Sequence, residues 1–175
     1  MAAETKIGAI KTVAEYPMTV RVENAFVSYV RYLGKTLWPA NLAVIYPHPG
    51  AWPWLSVALS ALILMIISVF AFKLWRRAPY LAVGWFWYLG ALVPVIGFIQ
   101  IGSHAMADRY TYLPLIGPFI MIAWGMTDLA SRWTHGRTLL AIWGVIAVAV
   151  LIPVARAQVA HWENAERLFR HALSV

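Results

Sequence analysis

The stretch Trp54–Phe72 reads WLSVALSALILMIISVFAF and contains no charged residue. A helix of about 20 apolar residues is long enough to cross the roughly 30 Å hydrocarbon core of a bilayer. Lys73, Arg76 and Arg77 follow this stretch at once. Because charged residues seldom continue a membrane span, the sequence predicts a transmembrane helix that ends before Lys73.

Three further apolar stretches follow the first one. Pro94 and Gly97 are expected to kink the second stretch, and Pro114 and Pro118 fall in the first turns of the third. The pattern predicts an all-α, polytopic membrane protein with about four transmembrane helices. The predicted spans are Trp54–Phe72, Tyr80–Ile101, Leu113–Leu129 and Thr138–Ala155.

The composition supports the same fold class. Hydrophobic residues make up 62% of the 175 residues and charged residues only 12%, whereas roughly a quarter of an average globular protein is charged. The net charge of +7 is spread between apolar runs, so it predicts contact with membrane lipids rather than with nucleic acid. The absence of cysteine excludes disulfides and thiolate metal sites.

The loops differ in charge, and this difference predicts an orientation. The second loop, 102–112, contains one Lys or Arg residue, Arg109, whereas the first and third loops are rich in cations. Cytoplasmic loops carry an excess of Lys and Arg, so we expect the second loop and both chain ends to lie outside. The cations of the first and third loops are Lys73, Arg76, Arg77, Arg132 and Arg137.

The two ends of the chain are predicted to be extramembrane segments. Residues 1–53 contain an amphipathic helix over 21–38 with Arg21, Arg31 and Lys35 on its polar face, followed by the proline-rich PANLAVIYPHPGAWP. This helix is too polar to span, so we expect it to lie in the interface; packing against another domain is the alternative. The tail, 156–175, is predicted to be a second amphipathic helix, and it stops without a terminating signal, which indicates a truncated piece of a longer protein.

The residues Ala107–Pro114, ADRYTYLP, form the strongest candidate site. Adjacent Asp108 and Arg109 at a membrane boundary are costly unless they are paired or used. The Arg109 guanidinium suits phosphate oxygens, and Tyr110 and Tyr112 add hydroxyls at headgroup depth. One interpretation is a site for a lipid phosphate; the other is a structural ion pair, in which Arg109 keeps Asp108 ionised.

Further candidates lie outside this loop. Arg31 and Lys35, one turn apart, could meet the same phosphate or simply attract anionic headgroups. His48 and His104 could exchange protons near neutral pH or serve as hydrogen-bonded loop residues. Neither histidine has a second ligand at metal-binding spacing, so no metal site is predicted.

Four motifs in order resemble a known family. The quoted stretches are VRYLGKTLWP (30–39), NLAVIYPHP (41–49), ADRYTYLPLIG (107–117) and WENAERLF (162–169). They resemble bacterial inner-membrane proteins with C-terminal tetratricopeptide repeats, which are similar to the transmembrane-and-TPR O-mannosyltransferase family of animals. The ADRYTYLP loop looks like that family's Glu-Arg-x-x-Tyr-Leu-Pro element, with Asp in place of Glu.

The resemblance implies a GT-C type glycosyltransferase that takes a sugar from a polyprenyl-phosphate carrier. In such a protein Arg109 would contact the donor phosphate, residues 156–175 would lead into the repeats, and the repeats would hold protein partners. The catalytic carboxylate loop expected after the first span has no counterpart here. The chain is therefore expected to be the C-terminal membrane part, itself inactive and without a cofactor beyond the lipid-linked donor; the rival hypothesis is a non-catalytic anchor for a repeat scaffold.

Overall fold

The computed structural model describes residues 17–40, 42–43, 46–96, 104–160 and 164. The described chain is mostly helical, as predicted, with one small two-stranded sheet. A short 3-10 helix, Asp108–Tyr110, follows the second strand. The elements are α1 Met18–Leu37, β1 Tyr46–Pro47, α2 Trp54–Lys73, α3 Pro79–Leu92, β2 His104–Met106, α4 Ile116–Ala130 and α5 Gly136–Ala160.

Two of the described helices, α2 and α5, are long and apolar enough to cross a membrane. They have 20 and 25 residues and a mean hydropathy of 2.6 and 2.5, and α2 alone is about 30 Å long. Most of their apolar side chains are exposed, and the most apolar window of α5 has no buried residue. Such surface is unfavourable in water, so length and composition indicate association with a membrane.

The other two predicted spans form shorter helices. Helix α3 has 14 residues and ends at Leu92, because Pro94 has no N–H to donate to the Gly90 carbonyl; residues 97–101 of that predicted span lie outside the described chain. Helix α4 begins at Ile116 rather than Leu113 and carries Pro118 in its first turn, where the missing N–H is not needed. The structure therefore supports two candidate spans by length.

Helix α1 buries part of its polar face, and its expected place in the membrane interface stays a prediction. Asn24 and Ser28, which share that face with Arg31 and Lys35, are buried. The Asn24 Nδ2 donates to the Ala105 carbonyl at 2.9 Å, and its Oδ1 accepts from Trp52 Nε1 at 3.1 Å. The polar stripe is buried because it supplies hydrogen bonds to the segments around the sheet.

Tyrosine hydroxyls join α1 to α3. Tyr29 donates to the Leu89 carbonyl at 2.8 Å, and Tyr88 donates to the Tyr29 carbonyl at 2.6 Å. The two rings meet edge to face with centroids 5.9 Å apart. These bonds satisfy the polar ends of large apolar side chains, and they fix α1 across the helices.

Helices α3 and α4 run antiparallel and define two ends of the molecule. At one end Trp87 Nε1 donates to the Leu113 carbonyl at 2.9 Å; at the other, the Tyr80 ring lies beside Gly125. The first end also holds the sheet, the 3-10 helix and the start of α2. The second end holds the two basic turns, 74–77 and 131–135.

Helix α5 continues through the predicted boundary at residue 155. It retains Pro153 in its interior and runs to Ala160, so 156–160 belong to the long apolar helix and not to a separate tail. The repeat-like motif 162–169 lies outside the described residues except for Asn164, as does the segment 1–16. The predicted tail helix beyond Ala160 therefore stays a prediction.

Candidate functional site

The Asp108 carboxylate is fixed by residues distant in the sequence. Its Oδ2 accepts from the Ala43 backbone N–H at 2.7 Å and from the Tyr46 hydroxyl at 2.8 Å. Burial raises the pKa of Asp108, against the opposing effects of the Tyr46 and Ala43 hydrogen bonds and of the Lys35 and Arg31 charges. Within the described chain the buried Oδ1 has no hydrogen-bond partner, so this oxygen can still accept a hydrogen bond.

Arg109 does not pair with Asp108, and the predicted ion pair is wrong. The exposed Arg109 side chain instead turns to Tyr110, with Nη2 3.2 Å from the hydroxyl and the guanidinium carbon 5.1 Å from the ring centre. The reason is local geometry, because successive residues of a 3-10 helix point about a third of a turn apart. Arg109 is therefore free of the carboxylate and presents its donors outward.

Arg31 and Lys35 meet at an aromatic ring instead. The Arg31 guanidinium lies 5.4 Å from the centre of the Tyr46 ring and 5.6 Å from that of Trp52. The Lys35 ammonium lies 4.8 Å from the same Tyr46 ring. These are cation–π distances, and burial lowers the pKa of Lys35. We call Arg31, Lys35, Tyr46 and Trp52 the cation–aromatic cluster.

Tyr32 holds the backbone that leads into the 3-10 helix. Its hydroxyl donates to the Ala107 carbonyl at 3.0 Å and accepts from the Ala107 N–H at 2.9 Å. Burial raises the pKa of Tyr32, so the hydroxyl stays protonated and can serve both bonds. This double contact positions Asp108, the next residue, beside the loop that carries Ala43 and Tyr46.

A pocket of about 430 Å³ opens beside Asp108, a size typical of small-molecule sites. Gln158 of α5 closes one side, with Nε2 donating to the Leu42 carbonyl at 2.6 Å and Oε1 accepting from the Leu42 N–H at 3.2 Å. Asp108 is the only acid among the lining residues. We call this the Asp108 pocket; it is lined by Leu42, Ala43, Asp108, Arg109, Thr111, Tyr112 and Gln158.

The remaining predicted residues are two tyrosines of the ADRYTYLP loop and two histidines. Tyr112 is 82% exposed and lines the pocket, whereas Tyr110 is covered by Arg109. His48 lies in the loop after β1, where its Nδ1 accepts from the Gly50 N–H at 3.0 Å, and burial lowers its pKa; this agrees with a hydrogen-bonded loop residue. The His104 backbone forms part of β2, and its side chain lies outside the described residues.

Sequence reasoning missed three members of the site. Tyr46 stands in the NLAVIYPHP motif, but only the fold shows that its hydroxyl reaches Asp108. Trp52 was passed over as a loop residue. Gln158 offered one usable signal, since an amide at the end of an apolar helix needs a polar partner.

In comparisons with known proteins, no family model, curated protein or solved structure matches this chain. The residues and the geometry of the Asp108 pocket are therefore the basis for a function. The groups that could act there are the outward-facing guanidinium of Arg109, the nearby cations Arg31 and Lys35, and the exposed hydroxyl of Tyr112. Asp108 adds a carboxylate of which one oxygen is hydrogen-bonded and the other is not.

Proposed function

We propose that this chain is the C-terminal membrane part of a GT-C-like glycosyltransferase, and that its Asp108 pocket contributes to binding a polyprenyl-phosphate sugar donor. The chain itself is not catalytic in this proposal. Four spans would cross the bacterial inner membrane, with the pocket and both chain ends outside. The acceptor would be a protein hydroxyl presented by tetratricopeptide repeats.

One observation carries the proposal: three of the four resembling motifs converge in space. The first supplies Arg31 and Lys35, the second supplies Tyr46, and the third supplies Asp108 and Arg109. A shared site is a physical reason for these separated motifs to occur together. Their combined chemistry is cationic and hydroxyl-rich, which suits a phosphate bearing a sugar.

The placement of charge also supports a lipid-phosphate ligand. Arg109 points its donors away from Asp108, and its fork can hold two oxygens of one phosphate. The Oδ2 of Asp108 already accepts from Ala43 and Tyr46, and the Lys35 and Arg31 charges act on the same carboxylate, so these groups offset its repulsion of that phosphate. The Asp108 pocket lies at the end where α2 begins and α5 finishes, so a lipid headgroup could reach it from the membrane boundary.

The alternative is a non-catalytic anchor for a repeat scaffold, and the lining of the pocket favours it in one respect. Asp108 is the only acid there, and its Oδ2 is already bonded to Tyr46 and Ala43. Transfer to a hydroxyl needs a base, so the enzyme proposal requires a carboxylate from another part of the complete protein. If the complete protein transfers labelled sugar from a polyprenyl-phosphate donor, the enzyme proposal is supported. If the complete protein does not bind the donor, the anchor hypothesis is favoured.

The direct test measures polyprenyl-phosphate binding to the complete protein in nanodiscs. Arg109→Ala should weaken binding by about 10-fold or more, because a hydrogen bond to a charged group contributes about 1.5–3 kcal/mol; Arg109→Lys should weaken it less. Arg156→Ala is the matched control, since it removes an exposed cation from α5 outside the pocket lining. Unchanged binding in both Arg109 variants would exclude Arg109 from the site.

A further inference from the structure

An apolar cleft lies at the opposite end of the molecule from the Asp108 pocket. Its volume is about 260 Å³, and it sits between the end of α4 and the start of α5. A Cβ on Gly136 would collide with the Ala130 backbone, so only glycine lets α5 begin this close to α4. We call it the turn cleft; it is lined by Met126, Leu129, Ala130, Trp133, Gly136, Leu139, Leu140 and Trp143.

Two arginines are neighbours in sequence of residues that line the turn cleft. Arg132 lies in the sequence between lining residues Ala130 and Trp133, and Arg137 follows Gly136. Both arginines are exposed. Asp128 approaches Arg132 at 3.5 Å, but the two side chains are 69% and 53% exposed, and such surface pairs contribute little. The turn between α4 and α5, which borders the apolar cleft, therefore carries a net positive charge.

We propose that the turn cleft binds an anionic phospholipid, with an acyl chain in the cleft and the phosphate against Arg132 and Arg137. Charge complementarity selects the headgroup, because basic pockets between membrane helices bind anionic lipids. The apolar lining selects a chain-bearing ligand over a soluble phosphate. The inference shares with the proposed function only the placement of α5 in a membrane, since the two sites lie at opposite ends.

The test counts lipids retained by the purified chain in native mass spectrometry, with phosphatidylglycerol and phosphatidylcholine of identical chains as probes. Arg132→Gln/Arg137→Gln should lower phosphatidylglycerol affinity about 30-fold, because each cation near anionic lipid contributes roughly fivefold. Arg76→Gln/Arg77→Gln is the matched control: it removes the same charge from the other basic turn and should keep near-normal affinity. Equal losses in both double variants would overturn the proposal.

Three further arms keep the result interpretable. Arg132→Lys/Arg137→Lys keeps the charge, so it should fold and retain most of the binding even if the glutamine pair does not fold. Brominated phosphatidylglycerol should quench the tryptophan fluorescence of the wild type more than that of the Trp143→Phe variant, because Trp143 lines the cleft. The assignment would be overturned by equal quenching in the wild type and Trp143→Phe, or by retention of phosphatidylcholine as strong as that of phosphatidylglycerol. Displacement of the bound lipid by inorganic phosphate would overturn it as well. Arg109→Ala should leave this binding unchanged, which separates it from the proposed donor site.

Discussion

Replacing Gly117 by alanine places a new methyl group against the backbone of α3. The added Cβ would lie 3.1 Å from the Gly84 carbonyl carbon and 3.1 Å from the Tyr88 nitrogen, and closer still to the Gly84 oxygen. These are backbone atoms that no rotamer change can move, so α3 and α4 must separate. Overpacking of this kind costs about 1–3 kcal/mol, and the higher helix propensity of alanine offsets about 0.5–1 kcal/mol of it.

The net loss for Gly117→Ala is thus about 0–2.5 kcal/mol with a central value near 1 kcal/mol, and that central value corresponds to a fall in Tm of roughly 2–4 °C for a chain of this size. The assay is thermal unfolding of the purified chain in one detergent. Gly90→Ala in α3 is the control, because its Cβ would meet nothing within 4 Å; it should leave Tm unchanged or raise it. If Gly117→Ala behaved like Gly90→Ala, the close approach of α3 and α4 would be refuted.

The Asp108 pocket gives three further predictions. Tyr46→Phe should lower the free energy of unfolding by about 1–2 kcal/mol, since it removes a donor to the Asp108 carboxylate; Tyr112→Phe, which changes an exposed hydroxyl, should not. Gln158→Leu should cost about 1–3 kcal/mol in denaturant unfolding, because both backbone groups of Leu42 lose their partner, and an unchanged midpoint would contradict this. Burial raises the folded-state pKa of Asp108 above its ordinary value of 3.8, so the contribution of this group to stability is lost as pH rises from 3.8 through the folded-state pKa. In a plot of Tm against pH, Asp108→Asn should lack the fall in Tm that the wild type shows over this range. Parallel plots for the two proteins would exclude the effect.

Composition predicted the apolar helices well where the chain carries clear boundaries. The first span was expected over 54–72, and α2 runs from Trp54 to Lys73, because Pro53 starts it and charged residues follow it. The second and third spans were predicted from hydropathy alone. Pro94, which has no N–H to continue the helix, follows the end of α3 at Leu92, and α4 begins two residues after Pro114; an apolar window does not register such backbone limits.

Helical periodicity predicted that α1 is amphipathic, but it did not predict that part of the polar face is buried. Period alone shows that two faces differ, and it does not show which of them is covered. Asn24 and Ser28 are buried because the loops that return from residues 52 and 105 need hydrogen-bond partners. Those loops come from other parts of the chain, so no local pattern in α1 predicts them.

The same limit explains the error at Asp108. Sequence spacing offered Arg109 as its partner, whereas the carboxylate is bonded to groups at positions 43 and 46. Local adjacency is a poor guide in a 3-10 turn, where neighbouring side chains diverge. The candidate residues Arg31, Lys35, Asp108 and Arg109 were chosen because charges near apolar segments are costly unless they have a partner or a function, and their role in binding stays a prediction.

The segment Leu42–Ala43 links two parts of the protein that are far apart in sequence. Gln158 of α5 holds Leu42 through both backbone groups, and Asp108 holds the Ala43 N–H. A displacement of the end of α5 must therefore strain or break the bonds to Leu42, and the next residue carries that displacement to the Asp108 carboxylate. The geometry of the Asp108 pocket depends on α5 as much as on the ADRYTYLP loop, so a ligand that orders this pocket must also favour one position of α5.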